Sequence, residues 1–454
     1  MVAVFLGMTL SVLDTSIVNL ALPGIARDLH TGAAQTIWIV NAYQVAILAL
    51  LLPLSMLGDL VGYRRVYLCG VAVFTLASLA CAMAPTLGVL LLARGLQGLG
   101  AGGLMAVNAA LVRLIYPRSL LGRGVALNSV VVATGAVAGP SIAAAILSVA
   151  SWPWLFLVNL PLGAVVLGLG YRVLPRNVAP PPSAARLQAI DVVLNAAMFG
   201  LVFLGADALA MRPGAAAGSR APGVAMLAAG LAIGAVYVRR QRRLAVPMLP
   251  LDLLRIPVFA LSMCTSIGAF AAQTLAYVAL PFLLLEVYGR SHLQAGLLIT
   301  AWPAGVVVSA AVAGRLIGRF ADGLLGALGL ASLALGLLLL ALLPAHPVDA
   351  DIAWRLALCG IGFGLFQSPN NHTIVTSAPV HRSGGASGML GTARLTGQIF
   401  GAVLLAGILS ATSLHDGSAP KLALVCAAGL AAAASAFSAL RVPQQKPLPT
   451  ETSP

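Results

Sequence analysis

One carboxylate stands where a carboxylate is costly. Asp14 falls inside the apolar run 2–23, roughly 12 residues from its start and so about 18 Å along a helix rising 1.5 Å per residue. In a nonpolar surround an ionised acid at that depth is expensive. That predicts an Asp14 that faces a wet cavity and exchanges protons; the alternative is an acid that hydrogen-bonds helix to helix. Arg94 is its counterpart in sign. It opens the run Arg94-Gly95-Leu96-Gln97-Gly98-Leu99-Gly100-Ala101-Gly102 within another apolar stretch, and a guanidinium cannot shed its proton. The small residues that follow let backbones approach closely. Two opposite charges at depth suggest one electrostatic field shared by Asp14 and Arg94, with snorkelling of Arg94 to an interface as the alternative.

Other polar groups mark turns and breaks. Ser55-Met56-Leu57-Gly58-Asp59-Leu60-Val61-Gly62-Tyr63-Arg64-Arg65 joins the second and third apolar runs. Gly62 permits a tight two-helix turn, Asp59 can face the positive end of the following helix, and Arg64 with Arg65 keeps the loop in water. Arg113 and Arg123 are candidate partners for Asp59, and the role expected of the loop is gating. In the run 124–149, Asn128 is a cavity candidate, while Gly135, Gly139 and Pro140 predict a kink that exposes a carbonyl. Gly364-Leu365-Phe366-Gln367-Ser368-Pro369-Asn370-Asn371 reads as a polar break, with Gln367 and Asn370 either lining a cavity or joining helices. Arg394, about 10 Å into its run at helical rise, is a further cavity candidate. Asp207 and Glu286 fall near run ends, where solvated loop charges are expected.

Several chemistries are excluded. The sequence has no Walker A glycine loop to draw on ATP, no HExxH and no GxSxG. Cys69, Cys81, Cys264, Cys359 and Cys426 stand singly and read as small apolar residues. The histidines are scattered. No metal and no cofactor are expected, and no enzyme: a membrane-embedded active site would need nucleophile, base or ligands clustered at one depth.

The elements that hold these groups must be membrane helices. Of 454 residues, 60% are hydrophobic and only 8% charged, with a mean hydropathy of +0.99; soluble domains average about 25% charged. Apolar runs near 2–23, 36–57, 66–84, 87–112, 124–149, 154–174, 190–211, 222–238, 258–285, 295–313, 324–343, 354–376, 387–412 and 420–439 predict 14 spans with no soluble domain. The net charge is +14. Nucleic-acid binding would need a solvated basic face, whereas these arginines sit in short loops. By alternation, the loops carrying Arg64, Arg65, Arg113, Arg118, Arg123, Arg172, Arg176, Arg186, Arg239, Arg240, Arg242, Arg243, Arg255, Arg315, Arg319 and Arg382 share one side with Arg441 and Lys446. The other side has Arg27, Arg212, Arg220, Arg290, Arg355 and Lys421, so both termini are expected in the cytoplasm. The start lacks a basic n-region and an A-x-A site, so a removed signal peptide is not expected. The organisation expected is a six-helix bundle over 1–174, a linker with a two-helix insert over 175–256, a second six-helix bundle over 257–440 and a tail at 441–454.

Leu13-Asp14-Thr15-Ser16-Ile17-Val18-Asn19-Leu20-Ala21-Leu22-Pro23 resembles the first-span signature of the drug:proton antiporter branch of the major facilitator superfamily, its 14-span group in particular. The loop 55–65 is similar to the superfamily's loop signature, with Ser55 in place of the first Gly and Leu60 in place of an Arg. The Arg94 run resembles the fourth-span motif, whose Arg is linked to proton transfer. Gly135, Gly139 and Pro140 resemble the antiporter signature of the fifth span, with Ala143 and Ala144 replacing a Gly pair. Trp152-Pro153-Trp154-Leu155-Phe156-Leu157-Val158-Asn159-Leu160-Pro161 and Pro247-Met248-Leu249-Pro250-Leu251 look like the starts of spans six and nine; Trp152 and Trp154 also suit an interfacial belt. Gly314-Arg315-Leu316-Ile317-Gly318-Arg319 reads as a degenerate copy of the Asp59 loop, with Gly318 at the Asp position.

The resemblance implies an all-α integral membrane protein of major-facilitator fold with 14 transmembrane helices (6 + 2 + 6). It implies a monomer in the inner membrane whose partners are lipid, protons and a small-molecule substrate. The activity implied is proton-coupled export of amphipathic or cationic compounds (multidrug efflux) by alternating access, driven by the proton gradient. Asp14 would take the proton, Arg94 would couple it to substrate, and Asp59, Gly62, Arg64 and Arg65 would gate. Export of one metabolite or lipid is the alternative, and a membrane-embedded enzyme or receptor is the rival class. Relatives place a second deep acid in spans 10 or 13; none is found here, which weakens the case for divalent cations.

Overall fold

A computed structural model describes residues 2–115, 131, 135, 138–175, 188–210, 217–244, 247–249, 251–378, 383–412 and 418–442. Among the described residues the chain is helical, with no strand. The helices are α1 (Val2–Asp28), α2 (Ala33–Thr36), α3 (Trp38–Val61), α4 (Tyr63–Ala82), α5 (Leu87–Ile115), α6 (Ala138–Val149), α7 (Pro153–Leu157) and α8 (Asn159–Val173). Then come α9 (Ala189–Ala210), α10 (Ala217–Gln241), α11 (Pro257–Pro281), α12 (His292–Leu316), α13 (Asp322–Ala341), α14 (Asp349–Ser377), α15 (Ser383–Ala411) and α16 (Ser418–Ala439). A 3₁₀ turn, Leu251–Arg255, precedes α11, and a π-helical turn, Phe282–Val287, extends it.

Twelve helices among the described residues are long and apolar enough to cross a membrane. Two of the expected spans stand apart. The described part of α6 is short, and α14, 29 residues long, carries Asp349, Asp351, Arg355, Gln367, Asn370, Asn371 and His372. The exterior is apolar, with Leu76, Leu92, Val149, Tyr171, Val308 and Leu342 exposed. That surface suits lipid, where every backbone group must be satisfied within the helices. The chain is a multi-pass membrane protein.

Prolines interrupt less than expected. Pro23 lies inside α1, which continues to Asp28. Pro369 lies inside α14, which stays continuous, so the polar break expected at 364–371 is a correction: the segment is an unbroken helix. Proline is tolerated inside membrane helices because neighbouring helices, side chains or local adjustment can satisfy the carbonyl it frees. Gly62, with φ of 100°, makes the α3–α4 turn, and Gly318, with φ of 85°, makes the α12–α13 turn. Side chains resist such positive φ, and glycine does not.

In the first half α5 packs on α3 and α4, and α8 packs on α1 and α4. In the second, α14 lies between α12 and α13, while α11 packs on α14, α15 and α16. The halves meet where α3 packs on α15 and α1 on α11, and where the Ser141 hydroxyl lies 2.8 Å from that of Thr300. The insert, α9 with α10, leans on both halves through α3 and α15. Asn195 Nδ2 donates to the Ala49 carbonyl at 2.7 Å, and Trp38 Nε1 donates to Asp207. Asp207 is therefore a buried anchor and not the solvated charge expected. Asp191 and Arg240 pair at 2.7 Å and tie α9 to α10.

Candidate functional site

The deep acid and the deep base meet directly. Arg94 Nη1 lies 2.6 Å from Asp14 Oδ2, and both side chains are 1% exposed. Gln97, one turn along α5 from Arg94, donates from Nε2 to Asp14 Oδ1 at 2.8 Å. Asn159 Nδ2, at the first residue of α8, donates to the same oxygen at 2.7 Å. Arg94 also donates from Nε to the Ile39 carbonyl at 3.0 Å and from Nη1 to Gln97 Oε1 at 2.6 Å. Gln97 reaches Ser78 Oγ at 2.8 Å. One network thus joins α1, α3, α4, α5 and α8. Asp14 was expected to face a wet cavity; instead it is buried among donors from other helices, the stated alternative, because an ionic pair at this depth needs its remaining lone pairs filled. It shares its field with Arg94.

Tyr43 of α3 connects this network to open space. Its ring lies 4.3 Å from the Arg94 guanidinium carbon, and its hydroxyl is 3.0 Å from that of Ser11. Close helix approach makes this possible: a Cβ on Gly98 would lie 2.4 Å from the Tyr43 carbonyl oxygen. Tyr43 and Ser11 line a cavity of about 410 Å³ between the halves, within the range that holds a small organic ligand. Its first-half wall also has Thr15, Asn19 and Gln44; its second-half wall has Phe270, Gln273, Tyr277, Phe363, Gln367, Asn371, Arg394 and Gln398.

The structure separates the other candidates. Gln367 and Arg394 lie on the cavity wall. Asn370 does not, which is a correction: it is fully buried, donates to Ser266 Oγ at 2.8 Å and accepts from Arg441 at 2.7 Å. The helical turn that carries Gln367 and Asn371 to one face carries Asn370 to another. Gly139 lies against α1, where a Cβ would meet Ser16 at 2.5 Å, and Gly135 lies near Val12; Pro140 is buried beside them. Asn128, Arg118 and Arg123 lie outside the described residues, as do the side chains of Asp59 and Arg113. Arg64 donates to the Tyr171 carbonyl and sits 5.4 Å from the Tyr171 ring centroid, while Arg65 is exposed. Of the tryptophan pair, Trp154 is exposed but Trp152 is buried against Phe156.

Sequence reasoning missed four contributors. Gln97 and Asn159 stood inside the quoted motifs, but nothing in one sequence shows which helix faces which. Tyr43 and Arg441 carried no signal beyond their type. Arg441, just past α16, donates to Ser262 Oγ at 2.9 Å, to Asn370 and to Ser438. Burial pulls its guanidinium down to about 10, with the Asp322 carboxylate opposing. Asp322 itself receives Thr373 Oγ1 at 2.9 Å and faces His372 Nδ1 at 2.7 Å.

Among the described residues a polar cavity lies between long apolar helices, with paired charges buried beside it, as a membrane transporter requires. The chain belongs to the Major Facilitator Superfamily, which it matches over residues 4–402. It is 52% identical to the uncharacterized transporter YebQ of Escherichia coli K12 over 447 residues, covering 98% of this chain and 95% of that protein. It is 32% identical to the multidrug resistance protein Stp of Mycobacterium tuberculosis, covering 90% of this chain and 75% of that protein. In fold it is similar to a POT family transporter solved with a thioalcohol-conjugated peptide, at a TM-score of 0.73 and 13% identity over 97% of this chain and 95% of that one. These relatives are transporters and not enzymes.

Proposed function

We propose that the protein is a proton-coupled exporter of small amphipathic compounds, a 14-span member of the drug:proton antiporter branch. It works as a monomer by alternating access in the inner membrane, with both termini in the cytoplasm. Its bundles are 1–174 and 257–440, joined by the 175–256 linker and insert and followed by the 441–454 tail. The similarity to the multidrug resistance protein Stp, and 31% identity over 412 residues to the multidrug efflux pump LfrA of Mycolicibacterium smegmatis, support the export reading.

One observation carries the mechanism: Asp14 is held by Arg94, Gln97 and Asn159 while Tyr43 touches both Arg94 and the cavity. An ionised carboxylate only accepts hydrogen bonds, whereas a protonated one must also donate. A proton arriving on Asp14 therefore displaces one of its donors. Release of Arg94 frees a charge against Tyr43 and shifts the cavity wall, so proton and substrate exclude one another. Gly62, Arg64 and Arg65, with Asp59, latch the inner gate, and Gly135, Gly139 and Pro140 let the fifth span move against α1. No cofactor takes part.

Acid-loaded everted vesicles test this with a panel of fluorescent amphipathic dyes. Dye addition is expected to alkalinise the lumen in the unaltered protein, and Asp14→Asn, still folded and inserted, is expected to abolish the signal. Full alkalinisation by that variant would remove Asp14 from the proton path.

A further inference from the structure

The cavity wall carries a cation with no counter-charge. Among the described residues lining it, Arg394 is the sole charged group and no Asp or Glu is present. Its Nε is buried without an acceptor, and among the described residues no hydrogen bond or ion pair reaches the guanidinium. Its one neighbour of note is Phe270, whose ring centroid lies 5.4 Å from the guanidinium carbon. The acid of the first half is not free to serve, because both Asp14 oxygens are taken by Arg94, Gln97 and Asn159.

A guanidinium stays charged in any protein surround, and an unpaired charge at membrane depth is retained at a cost that marks function. A cationic substrate would find like charge here and no carboxylate to pair with. A carboxylate would meet a planar fork of donors suited to bidentate recognition. The surfaces beside the fork are aromatic: Phe270 and Phe363 pack edge to face at 5.3 Å, and both line the cavity with Tyr277.

We propose that Arg394 is the anion-recognition residue of the transport cavity and that the substrate class is aromatic carboxylates, not cations. This inference rests on reading the cavity as the transport site. Bound substrate places its carboxylate on the Arg394 fork, with its ring against Phe270 and Phe363. The amides of Asn19 and Gln44 on the opposite wall, each with an unpaired oxygen, take the substrate's own donors.

The test is equilibrium binding to the purified full chain in detergent, using 2-naphthoate, its neutral amide and the cation 2-naphthylmethylammonium. Charge-assisted bonds of this kind predict that the carboxylate binds at least about tenfold more tightly than the amide, with the cation weakest. Arg394→Gln is expected to erase the preference, and Arg394→Lys, which keeps the charge, to retain part of it. Should Arg394→Gln fail to fold, the Lys variant and the three-ligand order in the unaltered protein still decide. Equal or absent binding of the three ligands, preference for the cation, or an undiminished carboxylate preference in folded Arg394→Gln overturns the proposal. Asp14→Asn, which mimics the protonated acid, is expected to weaken all three ligands alike and keep their order, so a kept order with proton-linked export lost bears on the proton mechanism, and a lost order with export intact bears on the anion site.

Discussion

Arg94 and Arg394 are both arginines on membrane helices, and they are provisioned in opposite ways. Arg94 has its counter-charge built in, 2.6 Å away, with Gln97 and the Ile39 carbonyl also accepting from its guanidinium. Arg394 faces a cavity with an aromatic ring for company. Arg441 lies between these cases: it is buried at the end of α16 among the neutral oxygens of Ser262, Asn370 and Ser438. Burial of a charge is costly in all three places. The difference lies in where the compensation comes from: a fixed acid for Arg94, fixed dipoles with the Asp322 carboxylate beyond them for Arg441, and, in the proposal made above, a ligand for Arg394. A half with a closed charge network can store a proton event, and a half with an open charge can register a substrate.

The comparison breaks most visibly in stability. Arg94→Gln leaves Asp14 buried without its cation and is expected to cost about 3–5 kcal/mol, read as a large fall in Tm of the purified protein in detergent. Arg394→Gln removes a charge that no acid among the described residues opposes, and it should leave Tm unchanged or raised. Equal losses in the two variants would mean that Arg394 has a fixed partner after all.

A smaller effect is expected one step out from the acid. Asn159→Ala removes one donor to Asp14 Oδ1 and should cost about 1.5–3 kcal/mol, as for a hydrogen bond to a charged group. It should also shift the pH dependence of vesicle alkalinisation, which a purely structural asparagine would not do. Smallest is Asn195→Ala, which cuts the bond from the insert to the Ala49 carbonyl. About 0.6–1 kcal/mol is expected from Tm, with transport retained, since among the described residues no hydrogen bond from the insert reaches Arg94 or Arg394.

Much of this architecture could be read from the chain. Apolar runs near 20 residues locate helices because a bilayer fixes their length, and Asp14 and Arg94 stood out because charge inside such runs is rare. What could not be read was mutual orientation. That Asp14 points inward to Arg94 and not to water depends on how α1 turns against α5, which involves small-residue contacts spread over several helices. Asn370 was misplaced because Pro369 suggested a break; an unbroken helix puts Gln367 and Asn371 four residues apart on one face and turns Asn370 away. Asp207 looked like a loop charge until α9 was seen to bring it to Trp38.

The central claim is that proton and substrate are handled by different charges in different halves. The direct measurement is transport by Asp14→Asn in proteoliposomes, comparing exchange of labelled 2-naphthoate across the membrane with its accumulation against a gradient. Exchange needs the cavity alone, whereas accumulation needs the proton. The account predicts that exchange persists and that accumulation driven by a proton gradient is lost. Accumulation at the unaltered level by this variant would contradict it.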